Sequence, residues 1–125
     1  MTPADRCVDS GLRGAEGEVI AREHLERHGL RTLAHGWKCR LGELDLVMLD
    51  GGTLVFVEVR YRCHGNPVSA LASLDGAKVT RFIRAARAWL AAHADMAALP
   101  ARFDIVAIDG EALGWHIDAF SVNGG

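Results

Sequence analysis

Lysine and cysteine are both scarce in this 125-residue chain. It has two lysines, Lys38 and Lys78, against twelve arginines. The three cysteines are an odd number with no Cys-x-x-Cys spacing, which argues against a disulfide framework and is typical of a reducing compartment. Arginine stays charged and presents a planar fork suited to phosphate, although a GC-rich coding sequence would produce the same preference.

Long apolar runs are also absent. No stretch approaches the roughly 18 apolar residues that a membrane span requires, and no apolar run follows the first charges, as a signal peptide would need. We therefore expect a soluble, cytoplasmic protein with no membrane partner. The length suits one domain, and we expect residues 1–12 to form a flexible leader and residues 13–121 a single folded unit.

Apolar periodicity predicts two helices. Residues 14–27 read as a helix closed by Gly29, and residues 75–93 carry an apolar stripe at i, i+3, i+4, i+7 spacing. A loop is expected at 61–73. A first strand is predicted over 30–34 and 37–40, two more in the stretch 42–62, and two at 102–109 and 113–120. The order helix, three strands, helix, two strands (α-β-β-β-α-β-β) predicts an α/β fold with a mixed central sheet flanked by helices.

The stretch GELDLVMLDGGTLVFVEVRYR, residues 42–62, reads as a β-hairpin with a Gly-Gly turn. A loop of two or four residues gives one register, in which Asp45 lies opposite Glu58 and Glu43 lies opposite Arg60. A three-residue loop would undo this pairing. Side-chain alternation then predicts one charged face and one apolar face, and the apolar face consists of Leu44, Leu46, Met48, Val55, Val57 and Val59.

Two carboxylates side by side on a sheet repel each other unless a cation or arginines neutralise them. Asp45 and Glu58 offer the oxygen ligands that Mg²⁺ or Mn²⁺ takes, with water and substrate phosphate completing the shell. The alternative is a salt-bridged surface patch that uses Glu43, Arg60 and Arg62. The spacing leaves both interpretations open.

A third acid, Glu18, falls among small and apolar residues on the packing side of the first predicted helix. That position suggests reach toward the edge of the sheet. The alternative is an i, i+4 ion pair with Arg22 on a partly exposed helix. The helix taken alone favours the ion pair.

Four segments, taken in order, resemble the bacterial YraN family: GAEGEVIAREHLERHGL, WKCRLGELDLVMLDGGTLVFVEVRYR, LDGAKVTRFIRAARAWL and RFDIVAID. The resemblance covers about residues 11–120. It implies a restriction-endonuclease-like fold, similar to that of archaeal Holliday-junction resolvases, with a nuclease constellation of helix acid, aspartate and Glu-x-Lys strand. Carried over by position, Glu18, Asp45 and Glu58 would be the catalytic acids and the ligands of Mg²⁺ or Mn²⁺.

The departure from that pattern is Arg60, which stands where the superfamily has lysine. Arginine clamps phosphate strongly and would stabilise charge in the transition state. It cannot accept a proton at neutral pH. The resemblance therefore implies the fold and the metal site, and Arg60 places catalysis in question.

Basic residues recur at every third position of the second predicted helix, at Lys78, Arg81, Arg84 and Arg87. Such a flank suits a nucleic-acid backbone, or it is an ordinary solvated face. The candidates for phosphate contact are Lys78, Arg81, Arg62 and Arg102.

We expect a metal-dependent nuclease acting on branched or structured DNA. The alternatives are an inactive nucleic-acid-binding module and a protein-interaction module with the same fold. A homodimer is expected only by analogy with junction resolvases, which cut two strands.

Overall fold

The computed structural model describes residues 10–62, 76–109 and 112–120. The elements in chain order are α1 (Ser10–Arg27), β1 (Arg31–Cys39), β2 (Gly42–Asp50), β3 (Thr53–Arg62), α2 (Gly76–Ala92), a 3-10 turn (Ala94–Met96), β4 (Ala101–Asp109) and β5 (Ala112–Phe120). The predicted element order is confirmed. Most of the predicted loop at 61–73 lies outside the described residues, and β3 continues two residues into it.

One five-stranded sheet with strand order β1-β2-β3-β4-β5 organises the chain. Sequential strands pair antiparallel, except that β3 and β4 pair parallel. Parallel neighbours need a crossover connection, and α2 lies in the segment that makes it. This mixed sheet with two helices is consistent with the α/β, restriction-endonuclease-like architecture expected from the sequence.

The sheet is covered by a helix on each face. Beneath α1 lies one buried cluster, which includes Ala21, Leu25, Leu46, Met48, Val55, Val57 and Val106. Beneath α2 lies a second, which includes Leu44, Val47, Leu54, Phe56, Phe82, Trp89 and Phe103. The prediction of one apolar and one charged hairpin face is therefore wrong. Strands buried on both faces carry near-continuous apolar runs, and LVM and LVFV are such runs.

The register predicted for the β2–β3 hairpin is confirmed, from Asp50 opposite Thr53 to Leu46 opposite Val57. The ladder ends there, one step before Asp45 and Glu58. Leu44 packs beneath α2 although Leu46 packs beneath α1. Regular alternation would place both leucines on the same face, so β2 departs from regular strand geometry at Asp45.

The first helix begins at Ser10, inside the segment predicted to be a leader. It ends at Arg27, as predicted, and Gly29 follows with φ of 94°, in the left-handed region that glycine adopts readily. No helix within the described ranges is long and apolar enough to cross a membrane.

Candidate active site

Asp45 lies where the β2–β3 ladder ends, and its side chain replaces a ladder bond. The backbone N–H of Val59 donates a hydrogen bond to Asp45 Oδ2 over 2.8 Å. The carboxylate therefore satisfies a strand amide that has lost its regular partner across the hairpin. This bond fixes the half-buried Asp45 side chain between the two strands.

Glu58 lies on β3, and its carboxyl group is a neighbour of that of Asp45 on β2. Burial, together with the neighbouring carboxyl group of Asp45, raises the pKa of Glu58 from 4.5 to about 9. Arg60 and Lys78 act in the opposite direction on the same carboxyl group. Burial and Asp45 thus favour the protonated form of Glu58, whereas Arg60 and Lys78 favour the ionised form.

Glu18 reaches the pair from α1 because that helix packs closely on β3. A Cβ added to Gly17 would lie 3.1 Å from the ring of Tyr61, so only a very small residue permits this approach without rearrangement. Burial, with the charges of Asp45 and Glu43, raises the pKa of Glu18 to about 7. Glu18 therefore reaches toward the sheet, the first of the two interpretations of this helix.

Three carboxyl groups from three elements are thus brought together, close enough for Asp45 to raise the pKa of both glutamates. Within the described ranges, no group of three or more His, Cys, Asp and Glu side chains could hold a metal ion as arranged. Mg²⁺ commonly uses only one or two protein carboxylates and completes its shell with water and phosphate. Asp45 and Glu58 form a donor set of that kind, because both offer hard oxygen atoms and repel each other when ionised.

A cleft of about 470 Å³ opens beside Glu58, between β1, β2, β3 and α2. Its charged lining comprises two carboxylates and four cations, namely Glu43, Glu58, Lys38, Arg60, Lys78 and Arg81. Positive charge is therefore in excess, although the whole chain has a net charge of −2. Cys39 and Phe82 also line the cleft.

Gly42 sets the distance between the β1–β2 turn and α2. Its φ is 156°, and a Cβ at this position would lie 2.8 Å from the carbonyl oxygen of Arg81. Real Cβ atoms do not approach an oxygen so closely, so a larger residue here would force the turn or α2 to shift. This contact holds Glu43, the next residue of β2, near the helical cations.

Of the four candidates for phosphate contact, Lys78 and Arg81 line the cleft. Arg62 ends β3, opposite Asp109 of β4, and its side chain lies outside the described part of the structure. Arg102 is committed elsewhere: it pairs with Asp50 at 3.0 Å and with Asp104 at 3.1 Å. We therefore leave Arg102 out of the nucleic-acid surface.

Asp104 is the fully buried centre of the Arg102 network, and the sequence reading missed it. It accepts hydrogen bonds from Arg102, from Trp115 Nε1 at 2.9 Å and from the backbone N–H of Asp118 at 2.9 Å. A single acid in the apolar run of RFDIVAI was the available signal, since buried charges occur with partners.

Lys38 and Cys39 were also missed as cleft residues. Their position depends on α2 packing against the β1–β2 turn, a long-range contact that local patterns do not report.

The family model that matches this chain covers residues 17–108 and is described as Uncharacterised protein family UPF0102. A UPF0102 protein of Pseudomonas fluorescens is 50% identical over 112 residues, covering 86% of this chain and 91% of the relative. One of Halorhodospira halophila is 49% identical over 120 residues, covering 96% of each. The matched segment includes all three acids and the cleft, and the chain belongs to the UPF0102 family, to which the YraN resemblance pointed.

Proposed function

We propose that this protein is a metal-dependent nuclease that hydrolyses phosphodiester bonds in branched or structured DNA. Asp45 and Glu58 would hold Mg²⁺ or Mn²⁺, and Glu18 would complete the acidic group. One observation carries the proposal: three carboxyl groups converge from α1, β2 and β3 beside a cleft with an excess of cations.

The electrostatic cost of keeping these three acids together supports a role in cation binding. Like charges in contact destabilise a sheet, and the raised pKa values of Glu18 and Glu58 show that the fold disfavours their ionised forms. Perturbed carboxyl groups in a cleft are typical of functional sites. A divalent cation would offset the repulsion between the ionised carboxylates.

The proposed reaction adds water across one P–O ester bond, leaving a phosphate on one product and a hydroxyl on the other. A bound divalent cation supplies a water of lowered pKa and polarises the phosphate. Arg60 would stabilise the negative charge that develops on the phosphate oxygens. Asp45, fixed by Val59, would hold its carboxylate in one orientation throughout.

A nucleic-acid-binding module without catalysis is the second candidate, and Arg60 is the observation that favours it. An arginine binds phosphate well but does not accept a proton at neutral pH. In that case the cleft would bind a nucleic-acid backbone and leave it intact. A protein-interaction module is the third candidate, which an absence of DNA binding at low salt would support.

Titration with Mg²⁺ and Mn²⁺, followed by calorimetry and by melting temperature, tests the metal site. We expect binding to the wild type and to Asp95→Asn, an exposed control in the 3-10 turn, and loss of binding in Asp45→Asn. Equal metal response in all three proteins, or none in the wild type, would refute the nuclease proposal.

Arg60→Lys separates the nuclease from the binding module. Both forms are incubated with branched, single-stranded and duplex DNA in the presence of Mn²⁺. Increased cleavage by Arg60→Lys that Asp45→Asn abolishes supports the nuclease. Salt-dependent DNA binding without cleavage by either form supports the binding module.

A further inference from the structure

Glu58 has charged neighbours of both signs. Asp45 contacts it as an acid, whereas Arg60 from β3 and Lys78 from α2 act on it as cations. The two cations come from different elements, and both line the same cleft. A cation bound by the acids would therefore lie next to a basic region built by a strand and a helix.

We propose that Lys78 and Arg60 form a phosphate subsite on the cleft side of Glu58, and that α2 supplies its second cation. The ligand is a phosphate group of a nucleic-acid strand. This inference rests on the proposed function for its substrate, and it adds a residue of α2 to the reacting end of the cleft. Lys78 would then hold the phosphate under attack, in addition to any contact with the flanking backbone.

Three features of the structure support this subsite. The cleft of about 470 Å³ has the size of a small-ligand site. Lys78 is half-buried, whereas Arg84 and Arg87 of the same helix are exposed, so Lys78 is partly withdrawn from solvent. Coulombic attraction is stronger where water is partly excluded, which gives Lys78 more effect on an anion than an exposed arginine has.

The position of α2 relative to the sheet is also fixed. Gly42 meets the backbone of Arg81 so closely that a Cβ at this position would force a shift, and Arg81 lies about one helical turn after Lys78. Phe82 and Trp89 bury the other side of the helix against the sheet. Lys78 is therefore presented to the cleft by a packed helix and not by a loop, which lowers the cost of ordering it around a ligand.

Inorganic pyrophosphate is the probe, titrated by calorimetry into metal-free protein in EDTA at matched ionic strength. We expect Lys78→Met to weaken binding about tenfold, the loss of one charge-assisted contact. Lys78→Arg should retain most of the affinity. Arg87→Met, which removes an exposed cation outside the cleft lining, should leave affinity unchanged.

Equal weakening of pyrophosphate binding in Lys78→Met and Arg87→Met would overturn the proposal. It would show that affinity depends on the net charge of the protein and not on the position of Lys78. Absence of pyrophosphate binding in the wild type would overturn it as well. Both results are distinct from failure of the nuclease proposal, which the Mn²⁺ response of Asp45→Asn decides. Lys78→Met should keep its Mn²⁺ response, and this also verifies that the variant is folded.

Discussion

The carboxylate of Asp45 accepts a hydrogen bond from the backbone N–H of Val59 over 2.8 Å, at the point where the ladder between β2 and β3 ends. Asp45 therefore has a structural role as well as its role among the acids. Asp45→Asn keeps an oxygen acceptor for Val59 and removes the negative charge. Asp45→Ala removes both.

The two Asp45 variants should consequently differ in stability. We expect Asp45→Ala to have a free energy of unfolding about 1–3 kcal/mol below that of Asp45→Asn, since a part-buried amide loses its partner. Urea denaturation of metal-free protein at pH 7 measures the difference. Equal stability of the two variants would show that the Val59 bond contributes nothing.

The raised pKa values of Glu58 and Glu18 predict that metal-free protein loses stability as pH rises. Each group has an ordinary pKa of 4.5, and the folded values are about 9 and about 7. The folded state binds more protons than the unfolded state between these limits, so the free energy of unfolding falls from about pH 5 to pH 9.

Glu58→Gln should flatten this pH dependence and raise the melting temperature at pH 8, because glutamine carries no charge to bury. Glu23→Gln, an exposed control on α1, should keep the wild-type slope. Melting temperatures in EDTA at pH 6, 7, 8 and 9 provide the comparison. An unchanged slope in Glu58→Gln would contradict the assignment of the raised pKa to this carboxyl group.

Gly42→Ala should destabilise the fold and widen the cleft. The new Cβ would lie 2.8 Å from the Arg81 carbonyl oxygen, and relieving an overpacked contact of this kind costs about 1–3 kcal/mol. Gly52→Ala is the control, since nothing lies within 4 Å of a Cβ at that turn position. Chemical denaturation of both variants tests the stability, and weaker pyrophosphate binding by Gly42→Ala tests the cleft.

Asp104→Asn should be strongly destabilising, by about 3 kcal/mol, because it leaves Arg102 with an uncharged partner in a buried network. Arg102→Met should also lower stability and leave the affinity for branched DNA unchanged. Denaturation and a salt-matched DNA binding assay measure the two effects. Loss of DNA affinity in a folded Arg102→Met would restore Arg102 to the nucleic-acid surface.

The hairpin register was predictable because a short symmetric glycine turn fixes which residues face each other. The existence of two cores was also present in the sequence, since Val47, Leu54 and Phe56 interrupt the alternation with apolar side chains. The prediction of one charged, solvated hairpin face did not take these apolar residues into account. The face reversal between Leu44 and Leu46 was not predictable, because it arises where the ladder ends.

The acids of the site were identifiable from the sequence, whereas its basic half was identified only in part. Lys78 and Arg81 were candidates as a helix flank, but their proximity to Glu58 depends on where the crossover helix packs. Lys38 joins them only because the β1–β2 turn meets α2 at Gly42. Sequence periodicity describes each helix face and does not give the distance between two faces.

The hairpin has a consequence for the order of folding. The bond from Val59 to Asp45 spans 14 positions of the chain, so hairpin closure alone brings Asp45 and Glu58 together, within microseconds in typical hairpins. At that stage water still surrounds both carboxylates and screens their repulsion. We expect the helices to cover the two faces later, and α2 to pack together with the parallel pairing of β3 and β4, because non-local pairing is slow. We therefore expect Asp45, Glu58 and Arg60 to come together with the hairpin, and Glu18 of α1 and Lys78 of α2 to join them only when the helices pack.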